Sequence, residues 1–188
     1  MSTQICCTAD QIVIREGVIS DAGEIARVDV ETWRACYRGI ITDKYLRSLS
    51  VPTQTDLCRK LFSIKNSGRF IFVAESERGE IVGYAAAGPE RKRGARSKGE
   101  LYAIYILPEF QRKGTGRLLV RSVMESFEAA GVRSLLVWVL AANPARNFYR
   151  ELGGKSIRTR PIGIGGIYYS ETCYEWTDFD TVLRAKGD

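Results

Sequence analysis

The chain has 188 residues, of which 45% are hydrophobic and 27% charged, a composition typical of a folded protein and far from that of a disordered one. It contains no histidine, which excludes catalytic triads and metal sites built on imidazole. The formal net charge of +6 suits an anionic partner, either a nucleic acid or a phosphorylated small molecule. The length predicts one domain over residues 1–188, with residues 1–11 as a loose lead.

The cysteines predict a reducing environment. Their number is odd, they form no C-x-x-C pair of the kind that binds zinc, and no secretory signal pattern precedes them. We therefore expect free thiols, no metal and a cytoplasmic location. No stretch reaches the roughly 20 apolar residues of a membrane-spanning helix, so no membrane association is expected. The cysteines are Cys6, Cys7, Cys36, Cys58 and Cys173.

In chain order, the hydrophobic pattern first predicts a short strand at residues 12–15 and a helix that begins near Asp21 and runs to Tyr37. Two more helices follow, one on each side of Pro52. The period then changes to that of β-structure, and residues 70–87 read as a hairpin. This part of the chain therefore combines helices with the first strands of a sheet.

The second half of the chain alternates strands with helices. A helix over residues 116–130 ends at Gly131, a natural C-cap. Asn143 as N-cap and Pro144 at the first helical position begin a short helix that Gly153 ends. The predicted strands cover residues 101–107, 135–140, 155–160 and 168–176. The order of elements indicates a mixed α/β sheet.

The most informative segment is the turn Gln111-Arg112-Lys113-Gly114-Thr115-Gly116, which joins a strand directly to an amphipathic helix. Glycines let a backbone approach a ligand closely, and the N–H groups of a first helical turn point outward at the positive end of the helix dipole. The spacing fits neither a Walker A loop nor a G-x-G-x-x-G fingerprint. Either the turn binds phosphate or its glycines only make a tight connection.

This segment resembles the Q/R-x-x-G-x-G/A acyl-CoA signature of the GNAT superfamily of N-acetyltransferases. Asn143, Phe148, Tyr149 and the Gly153-Gly154 ending have the spacing of the family's downstream segment, and residues 14–40 resemble the opening of a common bacterial GNAT group. The resemblance implies a GNAT-like α/β domain. Its mixed, mostly antiparallel sheet of about seven strands is flanked by helices and splayed between strands 4 and 5, with acetyl-CoA as co-substrate in the opening.

The resemblance also implies how acetyl-CoA is held. Backbone amides of the turn take the pyrophosphate, backbone groups of the preceding strand pair with the pantetheine arm, and Asn143 adds a contact to that arm. The N–H of Ile106 also holds the thioester oxygen. The implied cofactor-binding residues are Ile104, Tyr105, Ile106, Gln111, Arg112, Lys113, Gly114, Thr115, Gly116, Arg117, Asn143 and Phe148.

Acetyl transfer to nitrogen needs a neutral amine, whereas a lysine-like amine, with a pKa of about 10.4, is mostly protonated at pH 7. Without histidine the proton goes to a carboxylate or to bulk solvent. Glu100 is the candidate base, provided that its strand is regular and Glu100 alternates with Tyr102 and Ile104. The alternative is an edge glutamate facing water. Some family members keep a glutamate on the next strand, where this chain has Leu136-Val137-Trp138-Val139.

Tyr149 matches the family's tyrosine that protonates the departing CoA thiolate, a role suited to a phenol with a pKa of about 10. The alternative is a core aromatic, for which Phe148 is the better candidate. Cys36 and Cys58 have no activating base nearby in sequence, which favours direct attack in a ternary complex over an acyl-cysteine.

Trp33 and Tyr37 lie one helical turn apart, and the resemblance places their helix beside the acceptor pocket; core packing is the alternative. The basic loop at residues 90–98 is either a solvated hairpin tip or a contact to the CoA 3′-phosphate or an acidic acceptor. The glycine-rich segment at residues 161–167 either gates the substrate or connects a hairpin.

The sequence therefore predicts an acetyl-CoA-dependent N-acetyltransferase. Its acceptor is a primary amine, on a small molecule, a peptide or a protein, and a homodimer is possible. Two alternatives stay open: an acyl-CoA-binding module without chemistry, and a basic nucleic-acid-binding domain. The phosphate-binding turn accounts for the basic charge without a nucleic acid, so no nucleic-acid partner is expected.

Overall fold

The computed structural model describes residues 12–64, 67–91 and 98–184. These residues form one seven-stranded sheet in the order β1-β2-β3-β4-β5-β7-β6. Only β4 and β5 pair in parallel, so the expected mixed, mostly antiparallel sheet is confirmed. The strands are β1 Ile12–Glu16, β2 Phe70–Ser76, β3 Ile81–Pro89, β4 Gly99–Ile106, β5 Leu135–Leu140, β6 Lys155–Ile164 and β7 Ile167–Trp176. The proposed lead and most of the basic loop lie outside the described residues.

Helices cover both faces of the sheet. They are α1 Ala22–Cys36, α2 Asp43–Ser48, α3 Val51–Ser63, α4 Thr115–Ala129, α5 Arg146–Glu151 and α6 Asp180–Leu183. Tyr105 packs against Trp33 of α1, whereas its neighbour Ile106 reaches toward Gly116 of α4. Consecutive strand residues point to opposite faces, so α1 and α4 lie on opposite sides of the sheet.

α1 begins at Ala22, directly after Asp21 as predicted, whereas the start of α5 differs from the prediction. The Asp21 carboxylate makes no cap bond to α1; it accepts hydrogen bonds from Arg15 at 2.7 and 3.1 Å and from the Val18 N–H at 2.9 Å. The helix expected to begin at Pro144 begins at Arg146, and Asn143 Oδ1 accepts the Ala145 N–H at 2.9 Å, which is the bond expected of an N-cap that precedes Pro144.

The glycine-rich segment is a hairpin connection. β6 continues to Ile164 and β7 starts at Ile167, leaving Gly165 and Gly166 as the two-residue link. Their φ angles of 59° and 82° are those of a type I′ turn, which glycine adopts without steric cost. A Cβ at Gly165 would lie 2.8 Å from the Tyr45 ring, so the tip of this hairpin packs closely on α2.

β4 and β5 diverge along their length. They pair over only three positions, from Gly99 with Leu135 to Leu101 with Val137. Beyond Leu101, β4 remains paired with β3 on its other side. The expected splay between strands 4 and 5 is therefore present, and it opens toward the turn that precedes α4.

Candidate active site

Backbone groups of β4 line one wall of the opening. The Leu107 N–H donates to Val82 O at 2.9 Å and so points toward β3. Peptide groups alternate along a strand, so those of Ile104 and Ile106 point into the opening, whereas those of Tyr105 point to β3. The expectation that the Tyr105 backbone pairs with a pantetheine arm is therefore wrong.

The turn before α4 presents N–H groups that have no backbone acceptor among the described residues. Gly114 has a φ of 86° and Arg112 has a φ of 59°, an uncommon value for a residue with a side chain. The first N–H at the start of α4 that bonds back to the turn is that of Leu118, which donates to Gly114 O at 3.1 Å. In the described part of the chain, the N–H groups of residues 112–117 have no backbone acceptor. Such groups at a helix N-terminus suit a pyrophosphate.

Other side chains of the turn shape it from within. Gln111 Nε2 donates to Ile106 O at 2.7 Å and lies 3.6 Å from Cys36 Sγ, so Gln111 ties the turn to β4 and to the end of α1. Thr115 is buried and its hydroxyl donates to Phe110 O at 3.3 Å. Lys113 Nζ lies 5.4 Å above the Phe110 ring. Of these side chains, Gln111 and Thr115 therefore hold the backbone of the turn in shape.

Phe148 and Gly116 meet at the mouth of the opening. A Cβ at Gly116 would lie 3.1 Å from Phe148 Cζ and 3.4 Å from Ile106 Cδ1. The glycine is thus required by a close approach between the start of α4 and the half-buried Phe148 ring.

Tyr149 is buried between Phe148, Tyr174 and Trp176, with ring centroids 5.4 to 6.2 Å away. Burial raises the pKa of its phenol well above the usual range, and the nearby Tyr37 raises it further. The hydroxyl therefore stays protonated at any physiological pH. Tyr149 packs more deeply than Phe148, opposite to the sequence-based preference.

An aromatic wall stands on the α1 side of the opening. The Trp33 ring lies 4.7 Å from Tyr37, 6.0 Å from Tyr45 and 6.2 Å from Tyr105, measured between centroids. Burial raises the pKa of Tyr37, and hydrogen bonding with Tyr105 and Asn143 opposes that rise. Trp33 and Tyr37 therefore share a face, and Tyr37 is a buried member of a small hydrophobic cluster, as in the core-packing alternative.

Two members of this wall were not identified from the sequence as side chains of the site. Tyr45 lies on a separate helix, and Tyr105 was assigned by its backbone alone. The face on which Tyr105 lies follows from the alternation of β4 after its bulge, which only the pairing of β3 with β4 reveals.

Glu100 does not lie as predicted. Ala87 pairs with Leu101 and Ala86 with Ala103, so Tyr102 is an extra residue that forms a β-bulge. The bulge reverses the alternation, and Glu100 and Ile104 point to opposite faces of the sheet. The prediction of a regular strand is therefore wrong.

The Glu100 side chain is 2% exposed, so the water-facing alternative is also wrong. One carboxylate oxygen accepts the Arg91 backbone N–H at 2.8 Å, and the other accepts Arg91 Nε at 2.8 Å and Nη2 at 2.5 Å. The Arg91 guanidinium also lies 5.2 Å above the Tyr102 ring. Glu100 thus holds Arg91 near the end of the opening where β4 and β5 are still paired.

Asp29 is a half-buried carboxylate on α1, which the sequence analysis missed because its helical neighbours are ordinary core residues. Its Oδ2 accepts the Tyr84 hydroxyl at 2.5 Å, and its Oδ1 is buried without a hydrogen-bond partner in the described part of the structure. Burial raises the pKa of Asp29 against the opposing effect of the Tyr84 hydrogen bond.

The raised pKa of Asp29 predicts a pH-dependent stability. A carboxyl that binds its proton more tightly when folded stabilises the fold below its unfolded pKa of about 3.8 and loses that contribution as pH rises through the folded pKa. We expect Asp29→Asn, which keeps an acceptor for Tyr84, to raise the melting temperature at pH 8 and to raise it less as pH falls toward 4. Asp56→Asn, at an exposed position of α3, is the control and should give a small, pH-independent difference. A constant loss of stability in Asp29→Asn would contradict this prediction.

The cysteines within the described residues are free thiols. Burial raises the pKa of Cys58 and of Cys173 to about 11, so both thiols are unreactive near neutral pH. Cys36 is half-buried beside Gln111. Cys6 and Cys7 lie outside the described residues. Within the described ranges, no cluster of three metal-ligating side chains occurs, and no helix there is both long and apolar enough to cross a membrane.

The mixed, open sheet matches the fold of solved acetyltransferase structures, including one with CoA and one with acetyl-CoA. PaiA N-acetyltransferase from Thermoplasma acidophilum, in complex with coenzyme A, superposes with a TM-score of 0.68 over 86% of this chain and 98% of that one, at 22% identity. The structure of yncA from Salmonella typhimurium with its cofactor acetyl-CoA has a TM-score of 0.65 over 89% and 94% of the two chains, also at 22% identity.

The chain belongs to the GNAT acetyltransferase family. The model described as "Acetyltransferase (GNAT) family" matches residues 31–154. A Bacillus subtilis (strain 168) relative, "Uncharacterized N-acetyltransferase YuaI", is 34% identical over 171 residues, covering 91% of this chain and 96% of the relative. The resemblance seen in the sequence motifs is thereby confirmed, and acetyl-CoA as co-substrate follows from the family.

Proposed function

We propose that this protein transfers an acetyl group from acetyl-CoA to a primary amine by direct attack in a ternary complex. The observation that carries the proposal is the loss of β5 pairing along β4 directly beside a helix N-terminus with free N–H groups. The free edge of β4 suits the amide groups of a pantetheine arm, and the adjacent helix N-terminus suits a pyrophosphate. The family match and the CoA-containing structural neighbours support the same assignment.

Acetyl-CoA supplies an activated acetyl thioester and a thiolate leaving group. In our proposal the N–H groups of residues 112–117 bind the pyrophosphate, and Arg112, Lys113 and Arg117 add positive charge. The peptide groups of Ile104 and Ile106 bind the extended arm, with the Ile106 N–H directed at the thioester oxygen. Gln111 occupies the Ile106 carbonyl, which leaves the N–H as the free group at that position.

Tyr149 is proposed as the donor to the leaving sulfur. Its raised pKa favours a hydrogen bond to the developing thiolate over complete loss of the phenol proton.

The acceptor amine loses its proton to solvent in this proposal, the second of the two routes left open by the sequence. Glu100 is a poor base because three Arg91 donors occupy its oxygens. We therefore assign Glu100 to positioning Arg91.

Glu100→Gln tests that assignment, because glutamine keeps an acceptor for Arg91 but is a far weaker base than a carboxylate. We expect kcat to fall by less than about 10-fold and its rise with pH to be unchanged, since general-base catalysis is worth roughly 100-fold or more. The measurement is the pH profile of CoA-thiol release from pH 6 to 9.5. A loss of the pH dependence together with a fall of 100-fold would return Glu100 to the role of base.

The order of the chemical steps can be read from initial rates. In a ternary complex, double-reciprocal plots at several fixed acetyl-CoA concentrations intersect, and intact-mass measurement without an acceptor finds no acetylated protein. Parallel lines with an acetyl adduct on Cys36 would show a covalent intermediate and contradict direct attack. Acetyl-CoA binding without any acceptor-dependent release would favour the noncatalytic binding module.

A further inference from the structure

A pair of arginines faces the opening from the far strand of the sheet. In the strand register, Arg158 pairs with Cys173, which pairs with Trp138 of β5. Arg160 likewise pairs with Glu171, which pairs with Leu140 of β5. Paired residues share a face, so both arginines lie on the side of Trp138 and Leu140. Leu140 packs with Tyr37, which makes this the same side as the aromatic wall.

Both guanidinium groups lie over β5, the strand that borders the opening. The Arg160 Cζ atom lies 3.7 Å from the centroid of the Trp138 ring, and the Arg158 Cζ atom lies 5.2 Å from it. The Arg160 side chain thus extends back across β7 toward the opening. Stacking on an indole ring fixes the plane of the guanidinium.

Each of the two arginines is paired with a carboxylate whose side chain is buried. Arg160 Nε donates to Glu171 Oε1 at 2.5 Å, and Arg158 Nη2 lies 3.4 Å from Glu90 Oε1. The Glu171 side chain is 6% exposed, whereas that of Arg160 is 50% exposed. Within the described residues, the Nη1 and Nη2 groups of Arg160 have no hydrogen-bond partner, which leaves a two-pronged donor at the surface.

The paired arginines suit a ligand with a single carboxylate better than they suit a polyanion. The buried carboxylates balance the charge of the arginines, so the face carries directed N–H donors without a strong positive field. A planar guanidinium that is already fixed binds a carboxylate through two parallel hydrogen bonds and loses little side-chain entropy in doing so.

We propose that Arg160, assisted by Arg158 on the same Trp138 ring, binds a carboxylate of the acceptor. The substrate class is then an amine that also carries a carboxylate, such as a free amino acid, with its amine over the opening and its acid group over β5. This inference rests on the proposed acetyltransferase function and extends it to the acceptor.

The first test needs no variant. Rates of CoA-thiol release are compared for amino acids and for the matching amino acid amides, which present the same amine without the carboxylate. We expect kcat/KM to be about 100-fold higher for the acids, the value of a charged hydrogen-bonded pair, mostly through KM. Equal rates, or a preference for the amides, for polyamines or for peptide lysines, would overturn the inference while leaving the acetyltransferase function in place. No acetylation of any amine would overturn both.

The second test assigns the preference to Arg160. Arg160→Met should abolish the discrimination between acid and amide, and Arg160→Lys, which keeps a charge beside Glu171 but lacks the fork, should restore part of it. Arg121→Met is the matched control, because Arg121 on α4 is similarly exposed and also bonds a glutamate, Glu125, at 2.9 Å. An Arg160→Met protein that is folded by circular dichroism and still prefers acids would overturn the assignment.

Discussion

Tyr149→Phe is expected to lower kcat by about 100-fold and to leave the Kd for acetyl-CoA nearly unchanged. The substitution removes one hydroxyl and keeps the ring that packs against Phe148, Tyr174 and Trp176. Loss of a positioned proton or hydrogen-bond donor to the leaving group costs roughly 100-fold or more, and it acts on kcat because the charge on sulfur develops only in the transition state.

The control is Tyr174→Phe, which removes a hydroxyl from a neighbouring buried tyrosine. Turnover is measured by thiol release and acetyl-CoA affinity by calorimetry for both variants. A Tyr149→Phe enzyme with the turnover of the wild type would show that Tyr149 is only a packing residue. Equal losses in the two variants would point to a packing effect common to both.

Gly116→Val is expected to weaken acetyl-CoA binding by about 10- to 100-fold. Even the first carbon of the new side chain would lie 3.1 Å from Phe148 Cζ, and the two further methyl groups must displace Phe148 or the turn that carries the free N–H groups. Overpacking of this kind costs about 1–3 kcal/mol, and 1.4 kcal/mol corresponds to a factor of ten in Kd.

Gly23→Val provides the matched control, because no atom lies within 4 Å of a Cβ built at that position of α1. It should leave acetyl-CoA affinity unchanged. Unaltered affinity in folded Gly116→Val would remove the start of α4 from the cofactor site.

Much of the fold could be predicted because its signals are local. The strands of the hairpin at β2 and β3, the amphipathic α4 and the capping Gly131 all follow from spacing within a few residues. The anion-binding turn was likewise readable, because Gly114 and Gly116 sit between a strand and a helix in sequence.

The side chains that define the acceptor region depend on register, which the sequence does not encode locally. The bulge at Tyr102 places Glu100 on the opposite face of the sheet from Ile104, and only the pairing of β3 with β4 reveals this bulge. Arg160 and Trp138 are 22 residues apart in sequence, and they meet because β7 pairs with both β5 and β6. Asp29 gave no signal, since a lone acid within a helix is usually solvated.

In the proposed reaction, an amine receives the acetyl group at the opening between β4 and β5. The most direct test incubates the protein with acetyl-CoA and a panel of amino acids, amino acid amides, polyamines, arylamines and peptides, and quantifies CoA and N-acetylated products by mass spectrometry. We expect one N-acetylated amine for each CoA released, with products among the carboxylate-bearing amines. Tight acetyl-CoA binding with no acetylated amine across the panel, or acetyl found only on the protein, would contradict it.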